Sequence, residues 1–89
     1  MYTPPWRTFD LSPTIYRDGN RRFFFFSREE PRMHVHISSP DGEAKFWLEP
    51  TVSLADYAGF NKKDLNELQK IVEGHADEFK RRWQEYFGN

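Results

Sequence analysis

The 89-residue chain contains no cysteine. That absence removes a disulfide framework, a cysteine-ligated zinc site and thiol catalysis together. Charge of one sign is lacking too. Thirteen Lys and Arg stand against fourteen Asp and Glu, for a net charge of -1, which argues against a protein dominated by non-specific phosphate binding. No apolar run approaches the ~20 residues needed to span a bilayer, and Met1-Tyr2-Thr3-Pro4-Pro5 begins no signal peptide. A cytoplasmic protein without membrane contact is therefore predicted. No internal repeat, low-complexity tract or cofactor signature is visible, and no cofactor is predicted.

Aromatic residues are plentiful instead: nine Phe, four Tyr and three Trp make 18% of the chain. A domain this small buries only about 60% of the surface its unfolded chain exposes, and each ring removes much apolar area from water. Pro4, Pro5 and Pro13 mark an N-terminal end without regular pattern. Residues 1–11 are accordingly read as an irregular arm and 12–89 as a single α+β domain. Thr14 to Arg17 has strand character, and Asp18-Gly19-Asn20 supplies residues that tolerate a tight turn. Arg21 to Ser27 returns as a second strand. Its Phe23-Phe24-Phe25-Phe26 core is apolar on both faces, as in a strand buried on two sides or facing a partner.

The segment Arg32-Met33-His34-Val35-His36-Ile37-Ser38 carries the most chemical information, because two imidazoles alternate with apolar residues. In a strand, His34 and His36 share one face while Val35 and Ile37 share the other. Ser39-Pro40-Asp41-Gly42 joins this strand to residues 44–48, and Asp-Gly is a strong hairpin signal. A two-residue turn at Asp41-Gly42 would set His34 opposite Glu49 and His36 opposite Trp47; a four-residue loop would slide the pairing and keep the faces. Either way Val35, Ile37, Ala44, Phe46 and Leu48 form an apolar face. His34, His36, Lys45, Trp47 and Glu49 form the other. Thr51 to Tyr57 is a short strand or an irregular connection.

Towards the C-terminus, Asn61 and Asp64 have capping-box spacing, with Phe60 and Leu65 in the staple positions. Leu65, Leu68, Val72, His75, Ala76, Phe79, Trp83, Tyr86 and Phe87 fall on one stripe. Its phase continues past Gly74, which lies on the opposite side, and predicts one helix from about 62 to 87. Such a helix would be about 39 Å long, more than the roughly 30 Å breadth of a domain this size. Trp83, Tyr86 and Phe87 are therefore expected to contact the arm or another subunit. The expected architecture is α+β: a small antiparallel sheet of three to five strands packed by one long C-terminal amphipathic helix across the Val35/Ile37 face.

Several ordered motifs carry a family resemblance: Ser12-Pro13-Thr14-Ile15, Arg22-Phe23-x-Phe25, Pro31-x-x-His34-Val35-His36 and Ala44-Lys45-Phe46-Trp47-Leu48-x-Pro50. Gly59-Phe60, the Leu65 to Val72 helix, His75 and Trp83-x-Glu85-x-Phe87 follow in the same order. Over about residues 12–88 the chain resembles the small bacterial domain-of-unknown-function family DUF4160, with residues 1–11 as an extension. The resemblance implies a short bacterial reading frame beside another small protein, an arrangement like that of toxin–antitoxin pairs.

The first functional expectation is thus a protein of a two-gene module that binds its neighbour's product or itself, with Trp83, Tyr86 and Phe87 at the interface. The second is a small ribonuclease or RNA-binding domain, with His34 and His36 as acid and base and Arg22, Lys45 and Trp47 holding the substrate. Arg17, Arg21, Arg28 and Arg32 add positive charge to this part of the chain. The third is a zinc site on His34 and His36, which needs a third ligand from Glu49, Asp41, Glu43 or His75. Against these stands a structural role. His34 would pair with Glu49, His36 would pack on Trp47, and His75 would be a hydrogen-bonded core residue.

Overall fold

The computed structural model describes residues 13–26 and 30–88, so the proposed arm and Arg28 lie outside the described residues. Gly19, with φ of 61°, and Asn20 form a two-residue turn between strands β1 (Thr14–Asp18) and β2 (Arg21–Phe24). Strands β3 (His34–Ser39), β4 (Gly42–Trp47) and β5 (Ser53–Ala58) complete a five-stranded antiparallel sheet in the order β1-β2-β3-β4-β5. The last connecting segment is therefore a strand, at the sheet edge.

The β3–β4 turn is made by Pro40 and Asp41, since Ser39 pairs with Gly42. His34 therefore faces Trp47 and His36 faces Lys45, the register of the longer loop. Both faces survive the two-residue shift because side-chain direction repeats every two residues. Gly42 is required by space. A β-carbon there would lie 2.4 Å from the Ala58 carbonyl oxygen, and one on Gly59 would lie 2.5 Å from that of Asp41. This close approach fastens the hairpin turn to the end of β5.

The helical stripe folds as two segments, α1 (Lys62–Gly74) and α2 (Ala76–Phe87), where the sequence predicts one. His75 separates them with φ of -114° and ψ of 11°, and its N–H is shared between the carbonyls of Ile71 and Val72. The apolar stripe survives because the interruption is one residue long. A single straight helix would exceed the 34 Å longest dimension of the molecule, and the break lets the apolar face follow the sheet. The capping box forms as expected, with Asn61 Oδ1 accepting from the Asp64 N–H at 2.8 Å. Arg21 of β2 pairs with Asp64 at 3.4 Å and Glu67 at 3.0 Å, tying α1 to the sheet.

The core lies between the helices and one sheet face. Phe23, Phe25, Val35, Ile37, Ala44, Phe46 and Leu48 pack with Leu68, Val72, Phe79 and Trp83. Phe23 and Phe24 are buried on opposite faces of β2, as their uninterrupted apolar run predicts. The helices cover the Val35/Ile37 face, and on the other face Trp83 of α2 also reaches the His34 ring, so that His34 is closed in while His36 stays half-buried.

Candidate functional site

Sheet register places one residue from each strand in a row across the open face: Thr14, Phe24, His36, Lys45 and Asp56. Arg22, Ser38, Glu43 and Ala58 form the neighbouring row. Reaching Asp56 requires an irregularity in β5. Lys45 pairs with Asp56 but Phe46 pairs with Leu54, so Ala55 is the extra residue of a bulge. The bulge accompanies a shallow cleft of about 360 Å³, lined among others by Phe24, His36, Glu43, Lys45, Trp47 and Asp56.

The two histidines have different surroundings. His34 is 0% exposed, with its ring centroid 5.1 Å from that of Trp83 and 5.7 Å from that of Trp47. Its Nδ1 is 2.6 Å from the Arg32 carbonyl oxygen. A carbonyl only accepts, so Nδ1 carries the proton in that bond. His36 is half-buried and lines the cleft; it stacks on Phe24 at 5.5 Å and meets Phe26 edge-on. The His34 and His36 rings lie 5.1 Å apart, centre to centre. Thus the structure brings the pair together while leaving only His36 on an accessible wall.

The expected substrate-binding residues are also on this face, each already engaged by the chain itself. Arg22 lies 4.5 Å above the Phe24 ring and donates from Nε to Thr14 Oγ1. Arg32 and Lys45 both lie over the Trp47 ring, at 4.2 and 4.6 Å, and the Lys45 ammonium pairs with Glu30. Glu49 is not opposite His34, and its backbone carbonyl accepts from Arg32 at 3.0 Å. Among the described residues, no group of three His, Asp or Glu side chains is placed to hold a metal ion. His75 lies on the helix side, against Tyr16 and Phe79, with Nδ1 3.1 Å from Glu78 Oε1.

At the helix end, Trp83 is buried within the chain against Phe25, His34 and Phe87. Phe87 is half-buried and Tyr86 is exposed. Two further exposed apolar side chains belong to β5, opposite Phe46 and Ala44 of the helix-covered face: Leu54 is 37% exposed and Tyr57 53%.

Residues 20–84 match the family model described as Domain of unknown function (DUF4160). The chain belongs to the DUF4160 family. No curated protein and no solved structure matches it. The DUF4160 segment contains Arg22, His34, His36, Lys45, Trp47 and Trp83, while Tyr86 and Phe87 follow its end. It also contains Asp56 and Tyr57, which sequence reading did not single out. Glu43 had drawn attention only as a metal ligand. Its membership of the open face was readable from its two-residue spacing with Lys45 and Trp47, but no local signal announces the β5 bulge that brings Asp56 alongside.

Proposed function

We propose that this DUF4160 protein is a protein-interaction module of a bacterial two-gene system of the toxin–antitoxin kind. It acts in the cytoplasm on the small protein encoded beside it. The observation carrying this reading is the exposure of Leu54 and Tyr57 on the edge strand, where they stand opposite Phe46 and Ala44 and extend the apolar face past the helices, while the rings of the histidine face are occupied by the chain's own side chains. Exposed apolar side chains grouped at a sheet edge are a usual mark of a docking surface.

Energetics separate this from a base-stacking platform. Stacking a nucleobase on an aromatic ring is worth about 1–3 kcal/mol. At Trp47 a base would compete with Arg32 and Lys45, each contributing about 0.5–1 kcal/mol or more to the same ring. Little net gain is left. No described helix is long and apolar enough to cross a membrane.

Recognition is assigned to side chains and not to strand addition. The bulge interrupts β5, and Asp56 Oδ1 accepts from the Tyr57 N–H at 2.9 Å, two devices that blunt an edge strand. The test is co-expression with the neighbouring gene's product, with complex mass measured by light scattering. A defined complex with the wild type, lost in Leu54→Lys/Tyr57→Ser with an unchanged Tm, is the expected result. A wild-type protein that forms no such complex but binds or cleaves RNA would overturn it.

A further inference from the structure

We draw no further inference here: the strongest candidate, the open groove of about 250 Å³ at the end of α2 lined by Pro13, Ile15, Phe25 and Tyr86, is an unpartnered apolar face, and nothing in the structure shows what covers it.

Discussion

Lys45 and Asp56 face each other across β4 and β5, yet the Lys45 ammonium pairs with Glu30 and lies 4.6 Å above the centre of the Trp47 ring. A cross-strand ion pair is available by register and is not made. The sheet thereby keeps a cation tucked against its aromatic wall and leaves carboxylates at the rim of the cleft.

Lys45→Met should cost no more than about 1–2 kcal/mol, since a partly solvated ion pair with Glu30 and one cation–π contact with Trp47 are lost while the stem is replaced. Urea unfolding of the variant measures the effect, and a larger loss would show that the buried stem and its ion pair act together.

His34 and His36 should respond differently to truncation. His34→Ala empties a fully buried position between Trp47 and Trp83 and strands the Arg32 carbonyl, for a loss of about 2–4 kcal/mol. His36→Ala removes a half-buried ring stacked on Phe24 and should cost about 1 kcal/mol. Thermal unfolding of the two single variants distinguishes them. Any activity lost with His34→Ala must therefore be compared with its folded fraction before it is assigned to chemistry.

The glycines give a sharp stability contrast. Gly42→Ala would set a β-carbon 2.4 Å from the Ala58 carbonyl oxygen, so backbone must move and the loss should exceed about 2 kcal/mol. Gly74→Ala meets no atom within 4 Å and lies in the last turn of α1. There the substitution should stabilise by about 0.5 kcal/mol through helix propensity. Equal Tm values for the two variants would contradict the close approach of the hairpin turn and β5.

Trp83 and Tyr86 are close along the same helix but belong to different environments. Trp83→Ala should cost about 3–5 kcal/mol, a large part of the 5–15 kcal/mol that stabilises a typical domain. Tyr86→Ala, at an exposed position, should change stability by about 0.5 kcal/mol or less. Urea unfolding of both variants checks this. If neighbour binding is lost with Tyr86→Ala at full stability, the helix end joins the β5 surface in partner recognition.

Taken alone, the sequence determined whatever depends on local period and turn chemistry. The Asp18 to Asn20 turn, the two faces of the hairpin, the double-sided burial of Phe23 and Phe24, the Asn61 capping box and the apolar stripe from Leu65 to Phe87 were all legible. Each follows from side-chain spacing of two or about 3.6 residues, or from hydrogen bonds within a few positions. Only the tertiary structure decided the outcomes that depend on distant neighbours. The helix breaks at His75 to keep its apolar face on the sheet. His34 is closed in because Trp83, far along the chain, packs against its ring. The Lys45 ammonium finds Glu30 across a loop, although Asp56 stands opposite it in the sheet. Strand alternation gives the face on which a long side chain begins, but the packed fold around it decides where its charge comes to rest.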